Sequence, residues 1–210
     1  MRNIAVRILF YLIGICIMTF GASLTIKADL GAGAWDAVNV ALSEMSGLTV
    51  GNWVIIIGIF LMFTNAMIAN MRPDYLALIT IFIIGFVIDF WLLIVMADWH
   101  FEQLLVQATM LIIGVFILGF GVSLYLQPSL FINPIDGFMV ALHKRFGMSL
   151  LKAKSITEGL AVLIGFLLGG PVGIGTLLIL LFIGPAIQFF EPISKKMLTL
   201  LQSENEVIQH

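Results

Sequence analysis

The sequence predicts an all-α polytopic membrane protein built of two tandem repeats of roughly 100 residues, each with three spans and one short half-helix. Three observations carry that expectation. Only 10% of the 210 residues are charged and 61% are hydrophobic, whereas roughly a quarter of residues are charged in soluble chains. Six apolar stretches approach the length needed to cross a hydrocarbon core of ~30 Å. They are Ile8 to Ile26, Gly51 to Ala69, Tyr75 to Met96, Leu104 to Leu126, Ser155 to Gly169 and Ile174 to Phe190, the fifth being short unless it begins near Leu151. Finally, thirteen positions between residues 11 and 50 recur without a gap one hundred residues later, among them Gly14, Gly21, Ser23, Asp36 and Gly47. Leu and Ile match by chance at this composition; three glycines, a serine and an aspartate in register do not. The chain divides accordingly into a first repeat at 1–100, a second at 101–190 and a cytoplasmic interfacial tail at 191–210.

The first span begins after Arg2 and Arg7 and could imitate a signal peptide, with Ala32-Gly33-Ala34 as a small-residue cleavage pattern. Its internal partner speaks against removal, which would orphan half of the duplication. Gly14 and Gly21 are seven apart and share a helical face, and Gly114 and Gly121 repeat the pattern. Small residues on one face let helix backbones approach, so these four are expected at a helix–helix contact. Cys16, the single cysteine, excludes an intramolecular disulfide.

After each first span comes a paired turn, Leu30-Gly31-Ala32-Gly33-Ala34-Trp35-Asp36 and Leu130-Phe131-Ile132-Asn133-Pro134-Ile135-Asp136, followed by short runs that end at Gly47 and Gly147. An aspartate there can cap the free amides of a helix start, and Pro134 fits the first helical turn. A second role is open. If the two short helices point their starts at each other, Asp36 and Asp136 would share a cavity and could bind a cation or carry a proton, with Asn39 and Asn133 beside them.

These turns, together with Gly169-Gly170-Pro171-Val172-Gly173-Ile174-Gly175-Thr176 and Ile183-Gly184-Pro185, resemble the YczE/YyaS/YitT family of bacterial integral membrane proteins from about Ile8 to Phe190. Ala34 departs from a frequent proline of that pattern, and Phe131 from a frequent glycine. The resemblance implies a multi-pass protein of the bacterial plasma membrane and carries no settled activity.

Orientation follows from the basic residues. With three spans per half and a cytoplasmic N-terminus, Arg2, Arg7, Arg72, Lys144, Arg145, Lys152, Lys154, Lys195 and Lys196 lie inside and only Lys27 outside, a strong positive-inside bias. The C-terminus is then cytoplasmic too. Letting the short runs cross makes eight spans, moves Arg72 outside and leaves eight against two. Length favours the first arrangement, because the run from Ala37 to Gly47 would rise only ~17 Å as a helix. An odd number of spans per half inverts the repeats, an arrangement that puts transporter sites at the midplane.

The remaining polar residues have plain structural readings beside functional ones. Asn65 reads as interhelical glue. Asp89, near the outer end of the third span, reads as an interface anchor or a proton carrier. The loop Asp98 to Glu102 suits the outer aromatic belt, and its His100 has no metal-ligand spacing around it. Glu158 follows Lys154 by one turn and reads as an exposed ion pair, or, if deeper, as a third membrane acid. The glycine-rich run before the sixth span lacks the Lys and hydroxyl of a phosphate loop and suits a tight turn or a re-entrant element; Pro185 should kink the sixth span.

No nucleotide loop, zinc cluster or nucleophile motif is present, so neither enzyme activity, cofactor nor metal is expected. The expected function is a secondary transporter or permease for an unidentified small solute, coupled to protons or a cation through Asp36 and Asp136, with Asn39, Asn133, Asp89 and Glu158 as further candidate substrate- or ion-binding residues. A passive channel and a non-transporting membrane partner or scaffold are the alternatives. The expected partners are the lipid bilayer and that solute, with a homodimer open as an assembly and nucleic acid excluded.

Overall fold

A computed structural model describes residues 2–207. Among them are eight α-helices and no strand: α1 (Arg2–Lys27), α2 (Ala34–Ser46), α3 (Val50–Ala69), α4 (Ala77–Asp89), α5 (Leu104–Leu126), α6 (Pro134–Phe146), α7 (Leu150–Leu167) and α8 (Ile174–Val207). The side chain of Arg2 and residues 208–210 of the tail lie outside the described part.

The helix ends follow from local chemistry. Both short helices stop at a left-handed glycine, Gly47 (φ 73°) and Gly147 (φ 64°), whose lack of a Cβ makes that conformation cheap. Each next helix opens on a hydroxyl cap: Thr49 accepts from the Asn52 amide at 3.1 Å and Ser149 from the Lys152 amide at 3.3 Å. The left-handed residues Asp29 (φ 56°) and Ser129 (φ 49°) turn the chain after α1 and α5. Beyond Asp89, α4 continues as a π-helical stretch over Phe90–Val95.

Five helical segments are long and apolar enough to cross a membrane: Ile4–Lys27, Val50–Ala69, Ala77–Val95, Leu104–Leu126 and Ile174–Gln202. The fifth expected span, α7, has 18 residues, but Lys152, Lys154 and Glu158 make it too polar to join them on length and composition alone. The last helix runs unbroken through Pro185 and Pro192 to Val207, so the expected tail is a continuation of it.

The surface is apolar. Phe60, Phe86, Leu105, Phe166 and Leu181 are each 66–80% exposed, a cost in water that vanishes in lipid. Inside, the widest helix–helix contact joins α1 to α5. A Cβ on Gly21 would strike the Leu118 backbone, one on Gly121 the Met18 backbone, one on Gly14 the Tyr125 backbone and one on Gly114 the Thr25 side chain. Low numbers on one helix meet high numbers on the other, so α1 and α5 run antiparallel. The short helices cross over: α2 packs on α7, where Gly165 faces Ala37, and α6 packs on α3, where Gly137 faces Asn65.

Glycines also knit the loops. The Ala32 amide donates to Pro171 O at 2.8 Å and the Gly175 amide to Leu30 O at 2.7 Å. Gly31 (φ 117°) packs on Gly173 and Thr176 where no side chain would fit. The glycine-rich turn between α7 and α8 thus seats the entry to α2.

Candidate functional site

The starts of α2 and α6 meet across the molecule. Trp35 and Phe138 pack edge-to-face with ring centroids 6.3 Å apart, inside a cluster that also buries Ala34, Leu142 and Ala161.

Neither aspartate caps its helix. The caps are Gly33 and Asn133, and Asp36 and Asp136 stand at the third helical position. At the first, Gly33 O accepts from the Ala37 amide at 2.8 Å and no side chain helps. At the second, Asn133 Oδ1 accepts from the Ile135 amide at 3.2 Å and Pro134 occupies the first turn. The capping expectation for Asp36 and Asp136 is therefore corrected: the preference for Asp in this region comes from the first-turn dipole, and the cap belongs to Asn133 in one copy and to backbone alone in the other.

Freed from capping, the two carboxylates differ. Asp136 Oδ2 accepts a 2.7 Å hydrogen bond from Tyr125 Oη. Asp36, half-buried, has no hydrogen-bond or ion-pair partner among the described residues. Glu158, also half-buried on α7, lies close enough to Lys154, Asp136 and Asp36 for their charges to act on it, and Lys154 acts on Asp136 too. The expected exposed Lys154–Glu158 salt bridge does not form among the described residues. Three carboxylates against one ammonium leave a formal deficit of two positive charges. Such a group is costly in a low dielectric unless protons or cations neutralise it.

Asn39 sharpens the picture. It is 2% exposed, one turn beyond Asp36 on the same face, and its Oδ1 has no hydrogen-bond partner. The Trp35 indole N–H is likewise buried and unpaired. Buried polar atoms are ordinarily satisfied, so the first turns of α2 hold a donor and two acceptor groups in reserve. No set of three or more His, Cys, Asp or Glu among the described residues converges as metal ligands.

Asp89 belongs elsewhere. Its Oδ2 accepts from Thr49 Oγ1 at 2.6 Å and its Oδ1 from the Gly51 amide at 2.8 Å, clasping the start of α3 to the end of α4. Of the six expected site residues, Asp36, Asp136, Glu158 and Asn39 group around the short helices, Asn133 serves as the cap of α6, and Asp89 stands apart. Tyr125 escaped the sequence reading, and Lys154 entered it only as an orientation signal and as an exposed ion-pair partner of Glu158. A tyrosine hydroxyl inside an apolar span must find a partner, and that was the available signal.

A bundle of apolar helices with outward phenylalanines and leucines and an interior group of acids defines an integral membrane protein. The chain belongs to the DUF6198 family, a family of unknown function, which it matches over residues 5–192. It is 35% identical over 190 residues to the uncharacterized protein YyaS of Bacillus subtilis (strain 168), covering 90% of this chain and 94% of the relative. It is 31% identical over 198 residues to the uncharacterized membrane protein YczE of the same organism, covering 94% and 91%. An uncharacterized protein of Haemophilus influenzae is 46% identical over 79 residues, 38% of this chain and 36% of its own. No solved structure matches the chain.

Proposed function

We propose that the chain is a permease of the bacterial plasma membrane that moves a small solute, with protons or a cation neutralising the acids around Asp36, Asp136 and Glu158. The observation that carries this reading is the neighbourhood of those acids with a single lysine, in which Asp36 has no partner. A purely structural acid would be expected to resemble Asp89, whose two oxygens are both engaged.

In this reading 1–100 and 101–190 are inverted repeats, α7 is a sixth span, and both termini are cytoplasmic. Support comes from contacts that recur at an offset of one hundred. Gly21 meets Leu118 as Gly121 meets Met18, and Gly14 meets Tyr125 as Gly114 meets Thr25. Ser43 Oγ bonds Leu48 O at 2.7 Å, and His143 Nδ1 bonds Met148 O at 2.6 Å. Reciprocal contacts of this kind are what a two-fold relation between halves produces. With α1 and α5 antiparallel, that two-fold lies in the membrane plane, as in inverted-repeat transporters.

The test is solute-driven proton or cation movement in proteoliposomes, read by an internal pH dye and an ion-sensitive dye across a panel of small solutes. Asp36→Asn and Asp136→Asn should abolish the signal at unchanged protein levels. Wild-type signals in both variants, or no coupled movement with any solute, would overturn the proposal. Flux indifferent to the proton and cation gradients would favour a channel, and acids that matter only through folding would favour a scaffold.

A further inference from the structure

Away from the acids, a cavity of about 170 Å³ opens between α3, α6 and the link at 71–74. Apolar groups line most of it, including Met62, Ala66 and Val140, and the polar ones are few: Asn65, Arg72, Asp74 and Lys144. Each polar group has capacity to spare. Asn65 spends its Nδ2 on Pro134 O at 2.8 Å, while its buried Oδ1 has no partner. Arg72 has no hydrogen bond or ion pair among the described residues. Lys144 touches only the Met71 sulfur, at 3.9 Å, a poor acceptor for an ammonium. Asp74 turns one oxygen to the Leu76 amide at 3.1 Å and does not neutralise Arg72.

Two unpaired cations at the mouth, one carboxylate and one unpaired amide oxygen specify a ligand. The lining is one positive charge in excess, which matches the single negative charge of a phosphodiester. The Asn65 oxygen requires a donor on the same molecule, a hydroxyl or an ammonium. We infer that this cavity binds a phosphodiester bearing a hydroxyl or ammonium group, its phosphate on Arg72 and Lys144 and its donor on Asn65 Oδ1. Such a group arrives either as a phospholipid headgroup or as a free glycerophosphodiester. The site is independent of the acids around Asp36, and it gives Arg72 and Lys144 a task beyond setting orientation.

The experiment titrates the full-length protein in detergent, by native mass spectrometry, with phosphatidylethanolamine, phosphatidylglycerol, phosphatidylcholine and soluble glycerophosphoethanolamine. The first two lipids should bind on the order of tenfold more tightly than phosphatidylcholine, which has the phosphate but no donor. Arg72→Gln and Lys144→Gln should each weaken binding by roughly tenfold, Arg72→Lys should weaken it less than Arg72→Gln, and Lys152→Gln should leave it unchanged. All three side chains are exposed, so the variants should fold. Soluble-compound binding as tight as the lipids' identifies a free solute, and binding in lipid form alone identifies a headgroup; either supports the assigned chemistry. Equal binding of phosphatidylcholine, unchanged affinity in Arg72→Gln and Lys144→Gln, or no binding of any probe overturns it.

Discussion

Tyr125 Oη donates a 2.7 Å hydrogen bond to Asp136 Oδ2, tying the end of α5 to the first turn of the helix that follows. One hundred residues earlier the corresponding position is Thr25, whose hydroxyl turns back to Ala22 O at 2.8 Å and leaves Asp36 without a donor. The two acids of the paired turns are therefore unlike in environment: one is held, the other is free. A proton or cation that visits both would meet two different affinities, which a passage with a direction can use.

Tyr125→Phe keeps the ring and removes the hydroxyl. A hydrogen bond to a charged group contributes about 1.5–3 kcal/mol, so thermal unfolding in detergent should show a loss of that order. Combined with Asp136→Asn, the loss should be clearly less than additive, because both changes break one bond. Combined with Asp36→Asn, it should be additive within about 0.5 kcal/mol.

Asp36→Ala separates capping from function. Were Asp36 an N-cap, alanine would cost about 1 kcal/mol. Since Gly33 is the cap and the carboxylate has no partner, removing a half-buried charge should leave the unfolding temperature unchanged or raise it. A fall of several degrees would show that Asp36 has a structural partner after all.

What the sequence disclosed was local in origin. The short helices were legible because Gly47 and Gly147 stop them and their lengths favour half-membrane helices over spans. The capping role was misassigned because Asp favours both the cap and the first turn, and only backbone geometry separates Gly33 from Asp36. Contacts between distant residues left no local pattern. Tyr125 on Asp136, Asp89 on Thr49 and Asn65 on Pro134 depend on how helices cross, which periodicity does not encode. The polarity of α7 was visible in Lys152, Lys154 and Glu158, yet its meaning depended on which neighbours surround Glu158.

The glycines of α1 and α5 should be intolerant of any side chain. A Cβ on Gly21 or Gly121 would strike the facing backbone, which cannot move as a side-chain tip can. Gly21→Ala and Gly121→Ala should each cost about 1–3 kcal/mol, measured by thermal unfolding. Gly184, with nothing within 4 Å, is the control; alanine there should be neutral or stabilise by up to about 1 kcal/mol.

Asp89→Ala should destabilise the α3–α4 contact and leave any transport coupling intact. It removes acceptors for the Thr49 hydroxyl and the Gly51 amide, at a cost of roughly 1–3 kcal/mol for stranded donors. Thr49→Ala should cost about 1 kcal/mol through the lost cap, and the pair should be less than additive. A coupled-flux defect in Asp89→Ala at normal stability would return Asp89 to the transport site.

Cysteine labelling decides the topology. In a variant lacking Cys16, single cysteines at Ser46 and Ser129 occupy exposed turns at the end of α2 and after α5. With three spans per half and a cytoplasmic N-terminus, residue 46 faces outward and residue 129 inward. Eight spans, with both short helices crossing, reverse both. The antiparallel α1–α5 contact favours the first pattern, since parallel repeats would align Gly21 with its own counterpart Gly121 instead of with Leu118. A membrane-impermeant maleimide applied to intact cells should therefore label residue 46 at once and residue 129 only after lysis. Labelling of residue 129 from outside, with residue 46 protected, would mean that the short helices cross and that Asp36 and Asp136 do not face each other from opposite entries.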